Sequence, residues 1–295
     1  MDPNVRHCFA KINLALSVAP PEPAGTPRAG WHRIASWMHA IALHDDLTVE
    51  RTDGDGLELE RSWAPDAPRP DPIDWPVEQD LVWRAHALLA EKVGEPLGAR
   101  IELTKRIPAG SGMGGGSSNA ASTFIALNEL FALGLSLDEL RALSSKLGSD
   151  IAFFIDDEDP PRPALVSGFA ESIERLSRSS AEVLLLVPGF GCGTRAVYRA
   201  YDEGGPTELE ESRVRALAEG PLVAGSPFND LAGPAERVEP RLGELRSRLA
   251  DELGVPVHVT GSGSTMFVVG EGRELDRLAG VAEASGVAAV RSRLV

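Results

Sequence analysis

Five glycines within seven positions are the feature of this sequence with the clearest chemical use, and they lie in residues 110–116. Glycine lets the backbone approach a ligand closely and turn its N–H groups toward it. Ser117 or Ser118 is expected to cap a following helix, whose N-terminus carries free N–H donors and a partial positive charge. Together these features predict a phosphate-binding loop that needs no basic side chain.

A strand is predicted before this glycine loop and two helices after it. Residues 99–104 alternate between apolar and polar side chains, as strands do. Beyond the loop, apolar residues at spacings of four, three and four predict an amphipathic helix that ends at Gly134; they are Ala120, Phe124, Leu127 and Phe131. Ser136 and Glu139 match the capping-box pattern and start a second helix, which is expected to end near Gly148.

Other functions of the glycine loop are less well supported. A linker or a structural turn rarely lies between a strand and a well-capped helix. Gly110, Gly112 and Gly115 have the spacing of a dinucleotide-binding loop, but a second helix follows instead of a strand that ends in an acidic residue. A Walker A loop is excluded because no Lys-Ser or Lys-Thr pair follows the glycines, and the H-R-D and D-F-G signatures of protein kinases are absent.

The composition is that of a globular protein with an acidic surface. Of 295 residues, 43% are apolar and 25% charged, and 29 basic against 44 acidic residues give a formal net charge of −15. This charge disfavours binding to nucleic acid or to an anionic membrane, but it permits a phosphorylated small molecule that local groups hold. The two cysteines, Cys8 and Cys192, suggest neither a disulfide framework nor a cysteine zinc site. Because it lacks a long apolar run and an N-terminal targeting pattern, the chain is expected to be cytoplasmic, with no signal for its oligomeric state.

Two segments rich in proline and acidic residues divide the chain. Residues 62–76 are expected to form an exposed loop, and residues 156–163 to connect a domain of residues 1–160 with one of residues 161–295. The C-terminal part is predicted as strand, glycine loop, strand, helix and strand, at residues 256–260, 261–264, 265–269, 271–284 and 287–290. The fold class predicted from these patterns is mixed α+β.

Four segments, in this order, resemble the GHMP kinase superfamily of small-molecule kinases. They are residues 10–14, 108–121, 148–154 and 260–264, and the resemblance spans nearly the whole chain. Three further features are similar to the members whose substrate is a cytidine diphosphate-linked alcohol: the triple glycine followed by residues 117–121, the segment Gly30-Trp31-His32, and residues 226–230. Trp31 stands where these kinases usually have Tyr, and Asp80 where they have an Asn near the nucleotide base.

The resemblance implies a two-lobed GHMP kinase fold, with a ribosomal-protein-S5-like N-terminal lobe that binds ATP and a ferredoxin-like C-terminal lobe. It implies transfer of the γ-phosphate of ATP, with Mg²⁺, to the hydroxyl at position 2 of a methylerythritol unit in isoprenoid biosynthesis. Ser117 and Ser118 are both candidates for contact with Mg²⁺. The ATP contacts that it implies are Pro108, Ala109, Gly110, Ser111, Gly112, Met113, Gly114, Gly115, Gly116, Ser117 and Ser118.

The resemblance assigns catalysis to Asp150 and Lys11. Direct phosphoryl transfer needs a positioned hydroxyl, neutralised phosphate charge and a group that takes the proton. Asp150 would be that base, Lys11 the cation that favours the substrate alkoxide, and Asn13, on the same strand face as Lys11, a hydrogen-bonding partner of the substrate. From the residues alone, Asp150 could be an ordinary Asp at a helix end, half-buried by the apolar segment after it. Lys11 could be an edge lysine whose amine reaches water.

Substrate recognition is implied for four residues. Trp31 and Phe228 would sandwich the cytosine ring, His32 would hydrogen-bond its edge, and Thr194 would contact the substrate phosphates. The loop at residues 261–264 would approach the phosphate end of ATP. From the residues alone, the aromatic side chains could be core packing, His32 a surface histidine, and the loop a plain hairpin.

Two other functions are open on the sequence. A GHMP-type kinase that acts on homoserine or a mevalonate-like acid would have no use for the set of Trp31, His32 and Phe228. A non-catalytic nucleotide-binding protein would have no need to keep both Lys11 and Asp150.

Overall fold

A computed structural model describes residues 5–295. Residues 1–4 belong to the N-terminal segment in which no targeting signal is predicted, and they lie outside the described residues. The strands are β1 (Val5–Pro21), β2 (His32–Arg51), β3 (Leu57–Trp63), β4 (Ala99–Lys105), β5 (Ala164–Gly168), β6 (Ser172–Arg175), β7 (Glu182–Val187), β8 (Phe228–Asn229), β9 (His258–Val259), β10 (Met266–Gly270) and β11 (Ala288–Arg293). The α-helices are α1 (Leu81–Val93), α2 (Gly115–Leu130), α3 (Leu137–Ser144), α4 (Ile151–Phe154), α5 (Thr194–Glu203), α6 (Glu211–Glu219), α7 (Ala232–Val238), α8 (Pro240–Leu253) and α9 (Gly272–Ala284).

By its internal contacts the chain divides into two compact units, each of which is built from several separate segments of the sequence. The first unit contains the residues up to Ala10, Leu43–Ala109 and Gly114–Pro161, and the second contains Lys11–Ala42, Gly110–Met113 and Arg162–Val295. Since β1 and β2 are 17 and 20 residues long, each contributes to both units. The division into domains of residues 1–160 and 161–295 stays a prediction.

The larger sheet has the strand order β3-β4-β2-β1-β8, with β5 paired to β2 and β6 paired to β5. In the first unit, β4 pairs antiparallel with β2, where Thr104 lies opposite Asp46, and parallel with β3. In the second unit, β5 pairs antiparallel with β2 and β8 parallel with β1, where Phe228 lies opposite Ala15. Ten consecutive residues of β1, 10–19, are buried, as in a strand that is covered on both faces. Lys11 and Asn13 are therefore part of a buried strand.

The smaller sheet lies in the second unit and has the order β11-β7-β10-β9, with every pair antiparallel. Helix α9 packs on β7 and β11 through Leu275, Leu278 and Ala282, whose spacing places them on one helix face. The predicted C-terminal order of strand, glycine loop, strand, helix and strand is confirmed. Within residues 5–295, no helix has both the length and the hydropathy needed to cross a membrane.

The ends of the helices after the glycine loop differ in part from the prediction. The capping box of Ser136 and Glu139 is confirmed, but α3 ends at Ser144, before the expected Gly148. Helix α2 begins at Gly115 with Gly114 as its N-cap and without a side-chain cap, so the expected cap by Ser117 or Ser118 is wrong. Both serines lie in the first turn because the helix begins earlier than the apolar spacing indicated. Helix α2 also ends at Leu130, before the expected Gly134.

Candidate active site

The backbone of the glycine loop has the conformation that only glycine adopts readily. Gly110, Gly112 and Gly114 have φ angles of +63°, +78° and +70°, alternating with Ser111 and Met113. The chain then enters the 16-residue helix α2, whose first helical hydrogen bond runs from the N–H of Ser118 to the carbonyl of Gly114. The N–H groups of residues 115–117 precede that bond and have no acceptor within the helix. This turn of N–H groups suits the phosphates of a nucleotide.

The two glycine loops meet within the second unit. A Cβ atom on Gly112 would lie 2.3 Å from the carbonyl oxygen of Thr260, and one on Gly261 would lie 2.8 Å from the carbonyl oxygen of Gly112. The N–H of Thr265 also donates to the carbonyl of Ser111 over 3.1 Å. Glycine at these positions therefore permits backbone to pack on backbone. Strands β9 and β10 form a hairpin, and the loop between them contacts residues 110–113.

Lys11 is held beside these loops. Its side chain is 3% exposed, its Nζ donates to Asn13 Oδ1 over 2.6 Å, and its backbone N–H donates to the carbonyl of Met113 over 2.9 Å. Asn13 donates from its backbone to Thr260 Oγ1 and from Nδ2 to Ser36 Oγ, at 3.0 and 2.8 Å. The carboxamide of Asn13 thus orients the Lys11 amine, and a direct role of Asn13 in substrate binding stays a prediction.

Thr194 also lies at this place in the second unit. It is the first residue of α5, and its Oγ1 is 3.0 Å from Ser262 Oγ in the second glycine loop. The N–H of Cys192 donates to the carbonyl of Gly110 over 3.2 Å, which ties the segment before α5 to the first loop. The structure therefore brings together three predicted residues, Lys11, Asn13 and Thr194, and the two glycine loops.

Asp150 belongs to the first unit and immediately precedes α4. Its side chain is half-buried, and the four residues after it, Ile151–Phe154, are buried. The predicted partial burial of Asp150 is confirmed. Lys11 belongs to the second unit, so the roles of the two residues in one reaction stay a prediction.

The predicted base-binding residues differ in their accessibility. Trp31 is 58% exposed, with its ring edge-on to Phe169 at 6.4 Å between centroids. Phe228 is half-buried, and the guanidinium carbon of Arg213 lies 3.9 Å from the centre of its ring. Among residues 5–295, no ring contact joins Trp31 with Phe228. Trp31 therefore offers an open face, whereas Arg213 already covers one face of Phe228.

His32 is more enclosed than an ordinary surface histidine. Its side chain is 6% exposed, its Nδ1 lies 3.0 Å from the carbonyl oxygen of Ala19, and its Nε2 lies 3.5 Å from Asp202 Oδ1. The ring also packs against Tyr198 and Tyr201, at 5.0 and 5.9 Å between centroids. Both ring nitrogens thus have protein partners, and contact between His32 and a base stays a prediction.

Asp45 is a buried residue beside the glycine loop that the sequence patterns did not single out. Its side chain is fully buried and accepts four hydrogen bonds, from the backbone N–H groups of Arg106 and Ile107 at 2.6 and 2.7 Å, Lys105 Nζ at 2.7 Å and Asn119 Nδ2 at 2.9 Å. Asp45 therefore links the segment just before the loop to helix α2 just after it. The feature of the sequence that could have indicated Asp45 is the presence of an aspartate within the long strand β2.

Comparison with known proteins identifies the family. Residues 80–157 match a family model described as the GHMP kinases N terminal domain. A 4-diphosphocytidyl-2-C-methyl-D-erythritol kinase of Pelotomaculum thermopropionicum is 35% identical over 263 residues, which cover 88% of this chain and 86% of that protein. The chain belongs to the 4-diphosphocytidyl-2-C-methyl-D-erythritol kinase family.

Solved structures support the same family and its fold. A crystal structure of 4-(cytidine 5'-diphospho)-2C-methyl-D-erythritol kinase is 33% identical and superposes with a TM-score of 0.76 over 98% of each chain. A crystal structure of mevalonate kinase superposes with a TM-score of 0.67 at 12% identity, which is a likeness of fold alone. The GHMP kinase fold and the kinase class predicted from the motifs are confirmed. As a member of this family, the protein is an ATP-dependent small-molecule kinase.

Proposed function

We propose that the protein transfers the γ-phosphate of ATP to the 2-hydroxyl of 4-diphosphocytidyl-2-C-methyl-D-erythritol, a step of isoprenoid biosynthesis by the non-mevalonate route. The observation that carries this proposal is the place of the Lys11 amine. The amine is buried, Asn13 orients it, and it lies beside two glycine loops that contact each other within the second unit. An ammonium group at this place can stabilise negative charge that develops on a bound substrate. The name of the family supplies the identity of the alcohol.

The backbone of residues 108–118 holds the ATP phosphates in this proposal. Its N–H groups and the N-terminus of α2 supply positive potential without a basic side chain, which suits an acidic protein. Mg²⁺, when bound, neutralises phosphate charge during the transfer. Ser117 is half-buried and Ser118 is 2% exposed, so Ser117 is the more accessible hydroxyl for contact with the metal ion.

Asp150 and Lys11 carry the proposed chemistry. Asp150 accepts the proton of the 2-hydroxyl. Its carboxylate is only half-buried, so a substrate hydroxyl can reach it. The Lys11 ammonium group stabilises the negative charge that develops on the oxygen as the proton leaves. Asn13 Oδ1 accepts a 2.6 Å hydrogen bond from the Lys11 amine and so helps to orient it.

The cytidine end of the substrate is assigned to Trp31, Phe228 and His32, and its phosphates to Thr194. The exposed face of Trp31 suits stacking on a pyrimidine, and Phe228 would stack on the base through the face that does not contact Arg213. For His32 to contact the cytosine edge, it must exchange one of its partners, the Ala19 carbonyl or Asp202, for the base.

The direct test is the rate of ADP formation by the purified protein with ATP, Mg²⁺ and a panel of alcohols. The panel contains 4-diphosphocytidyl-2-C-methyl-D-erythritol, the same methylerythritol phosphate without its cytidylyl group, homoserine and mevalonate. We expect turnover with the first compound alone, with the new phosphate on the 2-hydroxyl by ³¹P NMR. Turnover of homoserine or mevalonate in its place would refute the substrate assignment and leave the kinase class intact.

A further inference from the structure

Two histidines converge on one carboxylate oxygen in the first unit. His7, from β1, places its Nδ1 atom 2.9 Å from Asp46 Oδ1, and His44, from β2, places its Nδ1 atom 3.0 Å from the same oxygen. The two imidazole rings lie 4.1 Å apart between centroids, with 44° between their planes. All three side chains are partly buried. We call His7, His44 and Asp46 the histidine cluster.

Hydrogen bonding does not account for the whole of this arrangement. His7 Nδ1 is hydrogen-bonded to Asp46 Oδ1, but His44 Nδ1 is buried and makes no hydrogen bond despite its 3.0 Å distance from that oxygen. A buried polar atom without a partner costs free energy. A metal ion that accepts both nitrogen lone pairs and the oxygen would satisfy all three atoms at once.

The distances suit a transition-metal ion. Zn²⁺ binds imidazole nitrogen and carboxylate oxygen at about 2.0–2.2 Å, so neighbouring ligand atoms of a tetrahedral site are about 3.3–3.6 Å apart. The three candidate ligand atoms all lie within 4.8 Å of one another, and the two nitrogen–oxygen distances, 2.9 and 3.0 Å, are slightly shorter than that separation. Imidazole ligands favour Zn²⁺, Cu²⁺ and Ni²⁺ over Mg²⁺ and Ca²⁺.

Neighbouring groups prepare the cluster for a metal ion. Arg106 Nη1 donates to Asp46 Oδ2 over 2.7 Å, which leaves Oδ1 directed at the histidines, and Arg106 is also paired with Asp66 at 3.0 Å. Hydrogen bonds to ligating groups are the usual way in which proteins orient them.

We propose that His7, His44 and Asp46 bind one divalent transition-metal ion of the Zn²⁺ type, in addition to the Mg²⁺ that accompanies ATP. The ion would join β1 to β2 at the start of β1.

The test is calorimetric titration of untagged, metal-free protein with Zn²⁺ at pH 7.5, without nucleotide. We expect one saturable site in the wild type, binding at least tenfold weaker in His7→Gln and Asp46→Asn, and unchanged binding in Asp66→Asn. The last variant is the matched control because it removes a charge from the other partner of Arg106 and leaves all three ligands. If His7→Gln binds as tightly as the wild type, or if Asp66→Asn loses as much affinity as Asp46→Asn, the proposal is wrong.

A second measurement needs no variant. In the electron paramagnetic resonance spectrum of the wild-type protein with one equivalent of Cu²⁺, we expect hyperfine coupling to two imidazole nitrogens. Coupling to fewer than two imidazole nitrogens would overturn the proposal, whatever the stability of the variants. Thermal unfolding of each metal-free variant shows whether it is folded before the titrations are compared.

Discussion

Asp45→Asn is expected to destabilise the protein far more than its single-atom change suggests. The carboxylate accepts two backbone hydrogen bonds on Oδ1 and two side-chain hydrogen bonds on Oδ2, in a site that is fully buried. An asparagine oriented to keep the backbone bonds of Arg106 and Ile107 directs its NH₂ group at the donors of Lys105 and Asn119. The variant therefore loses two hydrogen bonds and leaves the Lys105 ammonium, itself 5% exposed, without its counter-charge.

The magnitude follows from this loss. Removing one partner of a buried ion pair costs about 3–5 kcal/mol, because the remaining charge stays buried, and each lost hydrogen bond to a neutral donor costs about 1 kcal/mol. We expect a decrease of about 3–5 kcal/mol in the free energy of unfolding, measured by urea unfolding at pH 7.5. Hydrogen exchange should also become faster at the amides of Arg106 and Ile107, which Asp45 holds just before the glycine loop.

Two further variants separate the ion pair from other effects. Asp66→Asn makes the same chemical change at a carboxylate that is 72% exposed and paired with Arg106, and it should cost less than about 1 kcal/mol. The double variant Asp45→Asn/Asn119→Asp moves the carboxylate across Lys105 Nζ, which lies 2.7 Å from Asp45 and 3.1 Å from Asn119, and it should recover part of the loss. If Asp45→Asn is as mild as Asp66→Asn, the reasoning is refuted.

Four other changes test the site and the fold. Asp150→Asn should leave ATP affinity nearly unchanged and lower turnover by roughly two to four orders of magnitude, because asparagine cannot take the proton. Gly112→Ala should lower the free energy of unfolding by more than about 1 kcal/mol, since φ is +78° and its Cβ would lie 2.3 Å from the Thr260 carbonyl oxygen. Trp31→Ala should weaken binding of the cytidine substrate by about tenfold to a hundredfold without changing ATP affinity, and Trp31→Phe should restore most of it. Burial lowers the pKa of His39 in the folded protein from 6.5 to about 4. Between pH 6.5 and 4, the unfolded chain therefore binds a proton at this residue that the folded protein does not bind. The free energy of unfolding should fall by roughly 3 kcal/mol as the pH decreases across that range, and by less in His39→Gln.

Each of these four has a result that contradicts it. Equal turnover of wild type and Asp150→Asn removes Asp150 from the chemistry. For Gly112, the control is Gly94→Ala, at φ +77° with open space around it; equal losses in both would show that contact with Thr260 is unimportant. Unchanged substrate affinity in Trp31→Ala excludes base stacking there. Parallel stability curves of wild type and His39→Gln between pH 4 and 6.5 would exclude His39 as a source of the pH dependence.

Local backbone features could be predicted because their causes are local. Glycine alone reaches positive φ without strain, so the clustering of Gly110, Gly112 and Gly114 indicated a backbone that turns at these positions, and all three have positive φ. The capping box of Ser136 and Glu139 was likewise predictable, because its two partners are three residues apart. The cap predicted for α2 was wrong because Gly114, at positive φ, takes the N-cap position that serines often occupy.

The sequence by itself thus determined the kinase family, through the order of its motifs, and the location of the glycine loop. Only the tertiary structure decided which polar groups are buried and which partners satisfy them. The partners of Asp45 are 60–74 residues away along the chain, and those of His7 and Gly112 also come from distant segments. The physical reason is that such contacts depend on how separate strands pack, and a period of apolar residues specifies a buried face without specifying what lies against it.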